Sequence, residues 1–169
     1  MTTYSTYVGV DGGMTGAIAV WHPATNALRL YNIPRTIRQV NRKDHFVVDP
    51  DLLLTILALE LKGVDAKVWV EAGIGEKRQA ANAAYNYGFT NGGVWMAIRS
   101  LTSNAELIYP IVWKRHMMLV GKDKEASRNK ARVMFGPANA HLLDKKGDHN
   151  KAEAALNARY GYNITEGKR

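Results

Sequence analysis

The first part of the chain alternates apolar runs with short turn signals, a pattern that predicts three consecutive strands. Residues 4–10 are rich in Tyr, Val and Thr and are followed by the turn cluster Asp11-Gly12-Gly13, which is how buried strands commonly end. Residues 16–21 form a second apolar run, and residues 27–33 form a third after the turn-like residues 22–26. Short turns between these runs predict an antiparallel meander.

The middle of the chain predicts alternating helices and strands. Residues 34–49 are polar and basic, and we interpret them as a connection. Asp49-Pro50 is typical of a helix start, and the apolar residues 52–61 predict a buried helix that ends at Gly63. The run KVWVE at 67–71 predicts a strand. The handedness rule for strand-helix-strand units then predicts that this strand runs parallel to the first one.

The remaining pattern predicts mainly helices. Residues 79–101 are loaded with Ala and Gly and predict a long helix, and residues 106–109 predict a last strand. Residues 112–120, 125–135 and 148–160 predict three further helices. The resulting order, βββαβαβα with extra helices, predicts an α/β fold with a mixed five-stranded sheet. At 169 residues, we expect a single domain covering residues 1–169.

Composition narrows the possible sites and locations. No apolar run approaches the roughly 20 residues needed to cross a bilayer, and residues 1–7 lack the blocks of a signal peptide, so we expect a cytoplasmic protein. There are no cysteines, which excludes disulfides and thiolate metal sites. Any metal would be bound by oxygen or imidazole. We interpret Trp69, Trp95 and Trp113 as core or interface residues and assign them no chemistry.

Positive charge is concentrated in one segment of the chain. The formal net charge is +8, and residues 110–151 contribute ten basic against four acidic side chains, which leaves +6. Such a concentration attracts polyanions through counterion release. A solvated helical face is the alternative, and charge alone does not decide between them.

Two acidic residues stand at the ends of predicted strands. Asp11 directly follows the first strand, and Glu71 ends KVWVE. If these strands are parallel neighbours, both carboxylates emerge at one edge of the sheet, which is costly unless a cation neutralises them. Two divalent ions bridged by carboxylates hydrolyse phosphodiesters, and Mg²⁺ suits oxygen ligands. The alternative is that Asp11 shapes a turn and Glu71 is a solvated strand end.

A third acidic motif, GDHNKAE at 147–153, lies at the start of the last predicted helix. His149 and Asn150 share a helical face with Glu153, whereas Asp148 is better placed as the N-cap. Glu153 is therefore the firmer ligand candidate, although Asp148 could still turn toward the same metal. His149 could ligate, shuttle a proton or cap the helix. A simple capping box is the alternative interpretation of this motif.

These motifs together resemble a known family. The segment YVGVDGGMTGAIAV at 7–20 resembles the opening strand pair of RuvC-type Holliday junction resolvases, and VWVE at 68–71 resembles their second acidic strand. Trp113-Lys114, the basic stretch 121–132 and residues 145–156 resemble the end of the family, especially its bacteriophage-type branch. The resemblance covers almost the whole chain in the right order.

The resemblance implies an RNase H-like fold, a homodimer, Mg²⁺ or Mn²⁺, and paired nicking of four-way or other branched DNA. It implies a crossover junction endodeoxyribonuclease in the cytoplasm of a bacterial cell or phage-infected host. The implied catalytic and metal-binding residues are Asp11, Glu71, Asp148 and Glu153. The implied DNA-binding residues are Ile74, Lys114, Lys122, Lys124, Arg128, Lys145 and Lys146.

The chain departs from the family pattern at two positions. The residue three before Glu153 is Asn150 rather than an acid, so the fourth metal ligand is open between Asp148, His149 and Asn150. Ile74 stands where some members carry an aromatic wedge, which leaves an aliphatic wedge as the expectation.

Two other functions fit parts of the sequence. DGGMTG at 11–16 also resembles the phosphate-binding hairpin of sugar kinases and actin-like ATPases, but those enzymes need two such domains and this chain is too short. A non-catalytic DNA-binding protein would use the same basic surface, but carboxylates near a phosphate-binding cleft repel the ligand unless metal is present. The Ala- and Gly-rich helix is a candidate dimer surface, or it packs closely on its own sheet.

Overall fold

A mixed five-stranded sheet forms the centre of the protein. The computed structural model describes residues 4–73 and 80–168. Their strands are β1 (Thr6–Asp11), β2 (Ala17–His22), β3 (Ala27–Asn32), β4 (Arg35–Val40), β5 (Lys43–Val48), β6 (Ala66–Glu71) and β7 (Ala105–Ile108). The central sheet has the order β3-β2-β1-β6-β7. Strands β1 to β3 pair antiparallel, and β6 and β7 continue parallel to β1. The predicted sheet is therefore confirmed.

The segment interpreted as a connection, residues 34–49, is instead a β-hairpin, so that prediction was wrong. Strands β4 and β5 pair antiparallel from Arg35 opposite Val48 to Val40 opposite Lys43. The two turn residues, Asn41 and Arg42, both have positive φ, as the tight type I′ turn requires. Most of the hairpin is exposed, so no alternation between core and solvent marks these strands in the sequence.

Helices cover both faces of the sheet. They are α1 (Pro50–Leu61), α2 (Ala81–Leu101), α3 (Pro110–His116), α4 (Lys124–Phe135), α5 (Pro137–Ala140) and α6 (His149–Thr165), with 3-10 turns at His141–Leu143 and Lys146–Asp148. Asp49 caps α1 as predicted, accepting the Leu52 N–H at 3.0 Å. The helix predicted at 112–120 ends early, since Met118 is left-handed with φ 55°. None of the helices within the described ranges is both long and apolar enough to span a membrane.

Two apolar cores lie on opposite faces of the sheet. One contains Trp113, Phe135 and Leu156 and includes the inner side of α6. The other contains Leu57 of α1 and Ile98 of α2. Helix α6 lies directly on β1, because a Cβ at Gly9 would collide with backbone atoms of α6. This close approach brings the first turns of α6 over the end of β1 that carries Asp11.

Candidate active site

The register of β1 and β6 places Asp11 beside Glu71. The two strands are parallel, with Gly9 opposite Trp69 and Val10 opposite Val70. Asp11 and Glu71 are the next residues on their strands, so both lie at one end of the sheet, about 4.8 Å apart at the backbone. Side chains alternate along a strand, so both acids share the face of Gly9 and Trp69. That is the face covered by α6, since added Cβ atoms at Gly9 and Gly161 would strike α6 and Trp69 respectively.

Glu71 is a partly buried carboxyl group that accepts a hydrogen bond from a tryptophan. The indole Nε1–H of Trp113 donates to Glu71 Oε2 at 2.7 Å. Burial raises the pKa of Glu71 to about 7, and the negative charges of Asp11 and Glu153 add to this rise. The Trp113 hydrogen bond and the positive charge of Lys114 act in the opposite direction. Near pH 7, about half of the Glu71 carboxyl groups are therefore protonated.

Asp11 faces the same environment. Its Oδ1 accepts the Gly13 backbone N–H at 3.1 Å, in the turn that follows β1. Burial raises the pKa of Asp11 above its ordinary value, the Gly13 hydrogen bond opposes this, and the negative charge of Glu153 adds to the rise. Lys114 and Lys124 lower it. The carboxylates of β1, β6 and α6 therefore influence one another directly.

Glu153 is the third member of this acidic cluster, which we define as Asp11, Glu71 and Glu153. Its side chain is only 11% exposed, and its Oε1 lies 3.1 Å from Lys114 Nζ. The same oxygen accepts the Ser127 hydroxyl at 3.1 Å. Lys114 thus partly compensates a site in which three acids come from distant parts of the chain.

The residues just before Glu153 have different partners. Asp148 occupies the N-cap position of α6 but caps nothing there. Its Oδ2 accepts the Lys145 backbone N–H at 2.9 Å, and its Oδ1 pairs with Lys151 at 3.1 Å. The His149 ring lies 3.2 Å from Lys124 Nζ. Asn150 donates to the Thr15 carbonyl oxygen at 2.6 Å, so it ties α6 to the turn beyond Asp11. A ligand role for Asp148 stays a prediction.

The sequence-predicted DNA-binding residues divide into exposed and engaged side chains. Lys122, Lys124, Lys145 and Lys146 are exposed, whereas Lys114 pairs with Glu153. Arg128 forms an ion pair with Glu125 and donates to the carbonyl oxygens of Leu143 and Asp144. Its guanidinium therefore already has partners within the protein. Ile74 lies outside the described residues.

Two aromatic residues belong to the site although the sequence assigned them no chemistry. Trp113 was predicted as packing only, yet its indole N–H binds Glu71. The ring of Tyr87 on α2 lies against Gly73 and Gly13. Burial raises the pKa of Tyr87, and the negative charges of Glu71 and Asp11 add to this. The only sequence signal for Trp113 was its position next to Lys114.

In the observed side-chain conformations, the acids of the cluster do not converge on one point. Across residues 4–73 and 80–168, no three His, Cys, Asp or Glu side chains meet closely enough to form a metal-binding group. The partners explain this, because Glu71 is turned to Trp113 and Glu153 to Lys114 and Ser127. The donor chemistry nevertheless fits a hard divalent cation, since the cluster offers partly buried carboxylate oxygens, and burial together with neighbouring negative charge raises the pKa of Asp11 and Glu71.

Comparison with known proteins gives a clear fold assignment. A structure of T. thermophilus RuvC in complex with Holliday junction substrate aligns with a TM-score of 0.58, over 96% of each chain, at 15% identity. The chain has the RuvC fold, an RNase H-like fold. A second Thermus thermophilus RuvC structure aligns with a TM-score of 0.54, over 96% of this chain and 97% of that one, at 13% identity. No protein-family model and no curated protein matches the sequence.

Proposed function

We propose that the protein is a metal-dependent endonuclease that cuts Holliday junctions and other branched DNA. The observation that carries the proposal is the acidic cluster: Asp11, Glu71 and Glu153 come from β1, β6 and α6 and lie near enough to one another, at one end of a RuvC-type sheet, for their charges to interact. Acids buried together raise one another's pKa, which is unfavourable for a fold unless a cation or proton offsets it. A cation-binding catalytic site explains their placement.

Asp11, Glu71 and Glu153 would bind Mg²⁺ or Mn²⁺, and Asp148 would complete the site by exchanging its Lys151 partner for the ion. A bound divalent ion supplies an activated water and stabilises the leaving oxygen. Glu71 must lose its proton to bind a cation. Because its pKa is about 7, metal binding should weaken as the pH falls below 7. Lys114 would release Glu153 when the cation arrives and remain near the cluster to bind phosphate.

Exposed lysines beside the cluster would position the DNA backbone. Lys122, Lys124, Lys145 and Lys146 are exposed around the start of α4 and the turns before α6. Contacts of this type fix the register of a duplex without reading its sequence. We therefore expect selectivity for branched structure to exceed selectivity for sequence.

Helix α2 is the proposed homodimer surface. Tyr85, Phe89 and Met96 lie on its outer side with 64–69% of their surface exposed, and the rings of Tyr85 and Phe89 stack on each other. A Cβ at Gly88 or Gly92 would meet no atom within 4 Å. These glycines are therefore not required for packing within the protomer, and they would allow a second α2 to approach closely. Two sites related by such a dimer would make paired nicks.

The experiment that tests the activity compares wild type with Asp11→Asn on a synthetic four-way junction, with Mg²⁺ and with EDTA. Nicks are expected from wild type in Mg²⁺ only. The variant should bind the junction equally well or better, because removing a negative charge reduces repulsion of phosphate. A matched control is Asp65→Asn, an exposed acid just before β6, at the end of the strand opposite Glu71. Equal cleavage by wild type and Asp11→Asn would refute the site.

The dimer has its own test. Wild type should sediment as a dimer at micromolar concentration, whereas Phe89→Asp should sediment as a monomer, since it places a charge in the outer face of α2. A monomeric wild type would rule out paired nicking by a homodimer while leaving single-strand nicking open to the junction assay.

A further inference from the structure

The β4–β5 hairpin carries a concentration of positive charge outside the acidic cluster and its lysines. Residues 35–48 contain four basic side chains and one acid, a net charge of +3. Arg38, Arg42 and Lys43 are exposed. None of the three has an ion-pair partner among residues 4–73 and 80–168. Their charges are therefore available to an external anion.

The register collects part of this charge on one face of the hairpin. Arg38 lies directly opposite His45, and directly opposite residues share a face. Lys43 stands two positions before His45 on the same strand, so it lies on that face too. The other face carries Ile37 opposite Phe46, with the Arg35 guanidinium 5.5 Å from the Phe46 ring centre. The hairpin thus has one basic face, formed by Arg38, Lys43 and His45, with Arg42 at its tip.

Arg42 occupies a backbone position that suits glycine better than arginine. Its φ is 62°, in the second position of the two-residue turn, where type I′ turns favour Gly. L-residues such as arginine rarely adopt this left-handed conformation. Its side chain is exposed and forms no ion pair among residues 4–73 and 80–168, so its charge is available for binding.

The hairpin begins near the acidic cluster, and a groove extends from the hairpin to residues next to the cluster. Asn32 at the end of β3 pairs with Ala17, which pairs with Asp11, so the chain enters the hairpin about 10 Å from Asp11, two strand spacings away. A groove of about 1200 Å³ lies between the hairpin, α1 and α2. Its lining includes Met14 and Tyr87 next to the cluster, and Arg38 on the hairpin.

We propose that the basic face of the hairpin and Arg42 form a second DNA-binding surface, which binds the phosphate backbone of a duplex arm extending from the active site. The inference rests on the proposed function, since it assumes that DNA occupies the acidic cluster. Each six-residue strand spans about 20 Å, and duplex DNA presents one charge per about 1.7 Å of axis. Several phosphates therefore lie within the reach of the hairpin, which would hold one arm in a fixed direction.

The test measures binding in EDTA, so that cleavage does not interfere. A fluorescent four-way junction is titrated with wild type and with the triple variant Arg38→Gln, Arg42→Gln, Lys43→Gln over a series of salt concentrations. The triple variant should bind about tenfold more weakly or worse near 0.1 M salt, and its slope of log affinity against log salt should fall by about 2 to 3. The exposed Lys62→Gln, next to the end of α1, is the control and should leave both quantities unchanged.

A second variant separates binding from folding. Arg42→Gly removes the tip charge but relieves the left-handed backbone, so it should unfold at the same or higher urea concentration and still bind the junction several-fold more weakly. Wild-type affinity and salt slope in both the triple variant and Arg42→Gly would overturn the hairpin surface. Junction binding that depends on the hairpin, without any cleavage in Mg²⁺, would retain this inference and refute the nuclease activity.

Discussion

Replacing Glu71 with Gln should stabilise the metal-free protein, and the gain should depend on pH. Burial and neighbouring acids raise the pKa of Glu71 from 4.5 to about 7, so the folded state binds more protons than the unfolded state between these values. The free energy of unfolding therefore falls as pH rises through this window. Above pH 7, the full cost of holding an ionised Glu71 in the folded protein is present. Gln carries no charge at any pH and can still accept the Trp113 hydrogen bond through its amide oxygen.

The magnitude follows from the two pKa values. One pKa unit corresponds to about 1.36 kcal/mol, so a pKa of about 7 against 4.5 gives a penalty of up to about 3 kcal/mol at pH 8 and below about 1 kcal/mol at pH 5. Partial solvation of the site reduces both figures, and we expect Glu71→Gln to gain about 2 kcal/mol more at pH 8 than at pH 5.

The assay is urea unfolding in EDTA at pH 5 and pH 8, followed by circular dichroism. The control is Asp144→Asn, which removes an acid whose side chain is 56% exposed and pairs with Arg132. Such a surface pair contributes about 0 to 1 kcal/mol, so the control should show no gain. If Glu71→Gln is no more stable than wild type at pH 8, or if its free energy of unfolding rises equally at both pH values, the charged Glu71 carboxylate does not destabilise the fold as we describe.

Two further substitutions test the geometry around the cluster. Trp113→Phe removes the donor to Glu71 Oε2, so the pKa of Glu71 should rise above about 7. An NMR titration of the Glu71 side-chain carboxyl carbon measures this pKa. An unchanged midpoint would contradict the hydrogen bond. Gly9→Ala forces a Cβ into the backbone of α6 and should cost about 2 kcal/mol or more in urea unfolding. Its control, Gly93→Ala, meets no atom within 4 Å and should be neutral or stabilising, by up to about 1 kcal/mol. Similar effects of both changes would argue against the close contact between β1 and α6.

Local patterns were enough to predict the central sheet and two of its acids. Buried strands appear in the sequence as apolar runs that end at turn residues. The handedness rule for strand-helix-strand units predicted β6 parallel to β1, as observed. Because strand ends in parallel neighbours meet at one edge, Asp11 and Glu71 followed from the pattern alone. The β4–β5 hairpin escaped prediction, because it is exposed and packs too little to show alternation.

Only the tertiary structure decided the partners of the acidic side chains. Trp113 lies 42 positions from Glu71, and Lys114 lies 39 positions from Glu153. Neither contact can therefore be predicted from the spacing of residues along the chain. Asp148 lies close to Glu153 in sequence, yet its carboxylate binds the Lys145 backbone and Lys151. Sequence therefore determined which acids lie at the end of the sheet, because periodicity and turns act over short distances. The folded chain determined their protonation and partners, because burial and charge act between residues that only folding brings together.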